Sequence, residues 1–114
     1  MKYGLLLSVP LLLMGLAAAG RADEGYPTAT RADYVFACMT ANGGTQLALQ
    51  RCSCAIDVIA SLLPYKRYED AETVLSMRQS PGGGYLVQQF HTAIANEMVR
   101  DLQEAQAEAE VRCF

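Results

Sequence analysis

Four cysteines and a run of carboxylates are the residues here whose types and spacing would do chemistry. Cys38, Cys52, Cys54 and Cys113 offer thiol redox work, soft-metal ligation or covalent cross-links. Cys52-Ser53-Cys54 has the C-x-C spacing of a redox pair. Thiol catalysis, however, needs a thiolate held by a positive environment, and Arg51 beside it is thin support. Zinc would want histidine near the thiolates, and the one histidine, His91, lies far from all four cysteines in sequence. An even count in a short exported chain reads instead as two disulfides. Cys52 and Cys54 sit two apart on a predicted helix, so their side chains diverge by about 200° and do not pair with each other. One of them then faces Cys38 and the other Cys113. We favour Cys38–Cys52 with Cys54–Cys113, and the crossed pairing remains open.

The carboxylates carry more information. Glu97, Asp101, Glu104 and Glu108 recur at spacings that bring them within about 60° of one another on a helix. Like charges at these spacings repel by a few tenths of a kcal/mol per pair, and only Arg100 lies close enough in sequence to offset them. A hard cation such as a lanthanide or Ca²⁺ would convert that repulsion into ligation, because such ions prefer oxygen donors. At about 1.5 Å of rise per residue, Glu97 and Glu108 are too far apart for one ion. A compact site would use neighbouring pairs completed by another helix or another subunit. Glu69, Asp70 and Glu72, or Asp57, are the contributors within reach. The bland alternative is a solvated acidic helix face. His91 reads as a packed or surface side chain, and no G-x-S-x-G, H-E-x-x-H or phosphate loop is present. The chain is not read as an enzyme.

These residues need elements to hold them. Met1-Lys2, an apolar run from Leu5 to Ala19 interrupted by Pro10, and Gly20-Arg21-Ala22 read as a cleavable signal peptide over residues 1–22, with cleavage after Ala19 equally in keeping with the small-residue rule. The run is shorter than the roughly 20 residues that a membrane span needs. Residues 23–29 read as a flexible polar leader, and residues 30–114 as one helical domain. Thr30 is the expected cap of a first helix carrying Tyr34, Val35, Cys38 and Met39, which Asn42-Gly43-Gly44 stops. A second helix opens at Thr45 or Gln46, buries Leu49, Cys52, Ile56, Ile59 and Leu63, and ends at Pro64. A third runs from about Arg67 to Gln79, with Tyr68, Ala71, Val74, Leu75 and Arg78 on one face. Ser80-Pro81-Gly82-Gly83-Gly84 breaks the chain. The segment from there to Phe114 reads as a fourth helix with a stripe of Val87, Phe90, Ile94, Met98, Leu102, Ala105 and Ala109. The expectation is an all-α, four-helix domain cross-linked by two disulfides.

Charge narrows the partners. Loss of residues 1–22 removes Lys2 and Arg21, so the 9 basic and 12 acidic groups become 7 and 12, a net charge of −5. No basic patch stands out, which disfavours nucleic acid.

Three stretches add a resemblance: Arg51-Cys-Ser-Cys-Ala-Ile-Asp-Val-Ile-Ala60, Ala71-Glu-Thr-Val-Leu-Ser-Met-Arg-Gln79 and Ala105-Gln-Ala-Glu-Ala-Glu-Val-Arg-Cys-Phe114. They resemble a family of small periplasmic helical proteins associated with methylotrophy and quinoprotein dehydrogenase systems, similar to the landiscernin-type lanthanide-binding proteins. The resemblance implies a periplasmic lanthanide carrier that binds through exposed carboxylates and forms a homodimer around the metal. Asp57, Glu72, Asp101, Glu108 and Glu110 lie in or beside the matching stretches. The competing expectation is a metal-free helical module: an inhibitor, immunity protein or accessory subunit of a periplasmic enzyme. It would dock through an exposed patch around Tyr65, Tyr68 and Tyr85, since aromatic residues often anchor interfaces.

Overall fold

The apolar spacing of the second segment decides the architecture. Ala48, Cys52, Ala55, Ile56, Ile59 and Ala60 fall on one side of a 3.6-residue period, and all six are buried in a helix over Gln46–Leu62. The computed structural model describes residues 25–79 and 89–114. Among them stand four α-helices and no strand: α1 (Thr28–Asn42), α2 (Gln46–Leu62), α3 (Tyr65–Arg78) and α4 (Ala93–Cys113), with a single 3₁₀ turn, Gln89–His91, before α4. The expected signal peptide and the Ser80–Gly84 break lie outside the described residues. No single helix among the described residues is long and apolar enough to cross a membrane.

Helix ends follow local chemistry. Thr45 and Thr92 cap α2 and α4, their hydroxyls accepting from the Ala48 and Ala95 amides at 3.1 and 3.2 Å. Gly43 ends α1 with φ +84°, a conformation that a side chain would strain. Pro64, with no amide hydrogen to give, separates α2 from α3. The first helix departs from expectation. It starts at Thr28 behind Pro27, not at a Thr30 cap. Proline's fixed φ suits a helix start without help from a hydroxyl, and Thr30 turns its Oγ1 to 3.4 Å from the Tyr65 hydroxyl.

The flexible leader expected over 23–29 is corrected in its described part. Tyr26 is a core residue whose hydroxyl donates to the Leu63 carbonyl at 2.7 Å. Its ring meets those of Tyr65 and Tyr68, with centroids 5.1 and 5.4 Å away. Burial of the ring, its aromatic contacts and its hydrogen bond together offset the ordering of the backbone beside it.

Helix α2 lies at the centre, packed most extensively on α4 and also on α1, while α3 packs on α4. The main core joins Tyr26, Ile56, Ile59, Leu63, Tyr68 and Leu102 with Ala55, Ala60, Ala71, Ala105 and Ala109. Five alanines at helix contacts let the backbones approach closely. A smaller cluster of Val74, Ala95 and Val99 closes the far end of α3 and α4. Arg78 fastens that end, giving hydrogen bonds to the Phe90 carbonyl and the Asn96 Oδ1, each 2.6 Å.

Two expected core positions are corrected. Ile94 is 68% exposed, and the buried stripe of α4 runs instead through Ala95, Val99, Leu102, Ala105 and Ala109. The 3₁₀ turn and the Thr92 cap restart the helix and rotate its first turn away from the register of Phe90. Leu49 is also exposed. Ala48, one position earlier, takes the buried place. The disulfides are Cys38–Cys52, joining α1 to α2, and Cys54–Cys113, joining α2 to the last turn of α4.

Candidate ligand groove between α1, α3 and α4

The carboxylate ridge exists as a row on α4, but it is not bare. Asp101 holds Arg67 of α3 at 2.8 Å and touches Arg100 at 3.5 Å. Glu104 lies 3.8 Å from Arg100 and Glu108 lies 2.8 Å from Arg112. Glu97 is exposed one turn nearer the start of the helix. Arg67, Asp101, Glu104, Glu108 and Arg112 border one shallow depression of about 420 Å³, so its charge is close to balanced. Each donor beyond Glu97 faces a guanidinium, so the ridge is not an array of bare carboxylates. Among the described residues no group of three or more His, Cys, Asp or Glu side chains is placed to hold one ion. Of the other contributors, Asp57 pairs with Arg31 at 2.7 Å and Asp70 with Lys66.

The cysteines are likewise already partnered. Both disulfides are formed and no described cysteine is free. Cys52 is fully buried, and Arg51 stacks over the Phe114 ring at 5.9 Å instead of serving a sulfur. His91 ends the 3₁₀ turn on the surface. The tyrosine patch is corrected too: Tyr68 is only 6% exposed, Tyr65 is half-buried against Tyr26, and Tyr85 lies outside the described residues.

A different set of acids was brought together by folding. Asp33 of α1, Glu72 of α3 and Glu110 of α4 line a groove of about 760 Å³ with Tyr34, Tyr68 and Phe114. No Lys, Arg or His is among its described lining residues, and Arg51 over Phe114 is the cation at its rim. Asp33, Tyr68 and Glu72 also line an adjoining depression of about 450 Å³, which Glu69 lines as well. The two hollows thus share a waist of two carboxylates and a phenol.

The electrostatics of the groove are those of uncompensated negative charge in a partly desolvated place. Desolvation, with the Asp33 charge added, raises the Glu72 carboxyl above its ordinary value. Burial first, then Glu110 and Glu72, raise the Tyr34 phenol. Burial, then Glu72, Tyr26, Tyr34 and Asp33, raise that of Tyr68 further. Both phenols stay neutral donors at physiological pH. Perturbed groups gathered in one concave place mark a candidate functional site.

Glu72 and Glu110 stood in the resembling stretches, but spacing gave no reason to join them to Asp33. The one sequence signal is negative: none of the three has an arginine or lysine at helical spacing on its own face. No family model, curated protein or solved structure matches the chain.

Proposed function

We propose that this chain is a non-enzymatic, exported binding protein for a positively charged ligand. The observation that supports it is the convergence of Asp33, Glu72 and Glu110, from three helices, on a groove with no basic residue in its described lining. Such charges repel one another across a low-dielectric wall, and a cation is what relieves them. The phenols, held protonated, suit donation to a ligand better than nucleophilic attack.

Within that reading, a lanthanide or Ca²⁺ is the cation that the sequence favours, as cargo of a periplasmic carrier. The fit requires the groove carboxylates to move together, since they are not set for one ion as placed. Calorimetric titration of the oxidised protein with La³⁺, Ca²⁺ and spermidine tests the reading. At least one of them is expected to bind more tightly than millimolar, and Asp33→Asn with Glu72→Gln and Glu110→Gln is expected to abolish it. Silence from all three would remove the proposal. A dimer formed around the metal would appear as a doubling of mass in La³⁺ by light scattering.

The metal-free module remains a second reading, favoured by Phe36 and Val111, which are 74% and 82% exposed. A stoichiometric protein partner recovered from periplasmic extract, lost with Phe36→Ser and indifferent to chelator, would support it.

A further inference from the structure

We infer that the groove seats a linear aliphatic polyamine, its ammonium groups spaced along the carboxylates and its methylenes on the alanine and tyrosine wall. The inference rests on the cation-binding reading above and names the class of cation.

Three observations carry it. First, Tyr68 is 94% buried by its 6% exposure, and its phenol makes no hydrogen bond to a described residue, yet no buried side-chain polar atom is sealed without a partner. Its hydroxyl therefore opens on the hollows that it lines, where only solvent or a ligand can meet it. Second, the acids are spread over two joined hollows rather than gathered in one shell. Glu110 belongs to the larger hollow, Asp33 and Glu72 to the shared waist, and Glu69 to the smaller hollow. A single ion would want its donors gathered at 2–3 Å, and they are not so gathered. A chain of ammonium groups separated by methylenes suits carboxylates spread over two hollows better than one ion does. Third, the volume and the mixed lining suit an organic ligand. About 760 Å³ is large for one ion and ordinary for a small molecule, and the tyrosine faces add cation–π attraction to the charge.

The test is calorimetry on the oxidised protein at about 0.15 M salt, where diffuse attraction between an acidic protein and a polycation is largely screened. The probes are spermidine, putrescine, a capped arginine amide, La³⁺ and Ca²⁺. Spermidine is expected to bind most tightly, with putrescine weaker because it spans fewer carboxylates. Glu72→Gln is expected to weaken spermidine by about tenfold, the loss of one charge-assisted hydrogen bond. Tyr68→Phe should weaken it by roughly threefold at unchanged helicity. Glu104→Gln, on the arginine-paired ridge, should leave it unchanged. Because Glu72 is exposed, its variant tests the idea even if Tyr68→Phe perturbs folding.

Binding of La³⁺ or Ca²⁺ without spermidine would overturn the inference and leave the cation reading standing. The arginine amide binding in preference to both amines would overturn it in favour of a basic protein side chain. Spermidine binding that ignores both Glu72→Gln and Tyr68→Phe would overturn it as unspecific, and silence from every probe would remove both readings.

Discussion

Glu72 and Tyr26 show how two titratable side chains take opposite parts in this protein. Glu72 is raised by desolvation and by Asp33, so the native state holds its proton more tightly than the unfolded chain does. Its charge costs stability at pH values above the folded pKa, and that cost disappears as the pH falls below the unfolded one. Glu72→Gln is therefore expected to raise the melting temperature at pH 7 and to change nothing near pH 3, which paired thermal scans would read. Equal gains at both pH values would remove this electrostatic account. Tyr26 contributes to stability through its bond to the Leu63 carbonyl. Tyr26→Phe should lower unfolding free energy by about 1 kcal/mol in urea. Burial also pushes the Tyr26 phenol from 10.0 up to about 12, so native stability should fall as the pH rises through that interval, and less steeply in Tyr26→Phe. At this scale the ridge carboxylates were legible as positions, and Arg100 and Arg112 stand at i,i+4 spacing from Glu104 and Glu108, but the partner that Asp101 takes from another helix was not. Arg67 is more than thirty residues from Asp101 in sequence, and no spacing rule links them. The groove acids were hidden for the same reason, since each belongs to a different helix.

Helices, in contrast, were largely legible. The 3.6-residue apolar spacing, Gly43, Pro64 and the Thr45 cap locate the helical segments, because those signals act within one or two turns. What spacing did not give was the rotation of α4's first turn, which leaves Ile94 outside and Ala95 inside. That choice depends on the preceding 3₁₀ turn and on Arg78 clasping Phe90 and Asn96 from another helix. Thr92 is the cap that sets the new start. Thr92→Ala is expected to cost about 1 kcal/mol by urea unfolding. It should also speed amide exchange in the first turn of α4 while leaving Leu102 to Ala109 protected. Uniform loss of protection would mean that α4 unfolds as one unit and that its start has no independence.

For the whole molecule, the cross-links matter more than any single contact. The limited core of so short a chain leaves little margin, and a disulfide adds stability that grows with the loop it closes. By chain entropy, closing 14 residues between Cys38 and Cys52 is worth about 3 kcal/mol and closing 59 between Cys54 and Cys113 about 4 kcal/mol. Cys54→Ala with Cys113→Ala should therefore be the more damaging double substitution, by about 1 kcal/mol in urea at equal slope. The reverse order would mean that the α1–α2 link has a native-state role beyond chain entropy. The even cysteine count and the helical divergence of Cys52 and Cys54 made two bridges legible from sequence. The choice between the two pairings was settled by the placement of α1 and α4 on α2.

Those bridges also fix how a load would travel. Both loops close on α2, at Cys52 and Cys54, so tension applied between the chain's ends bypasses everything from 39 to 51 and from 55 to 112. Between the two bridges it passes through Ser53 alone. A pulled, oxidised molecule should lengthen only by Phe114 and by the stretch before Cys38, which includes the first part of α1, while the α3 and α4 walls of the groove stay off the load path. The same wiring means that one protease cut within either loop leaves a nicked molecule whose pieces stay covalently joined.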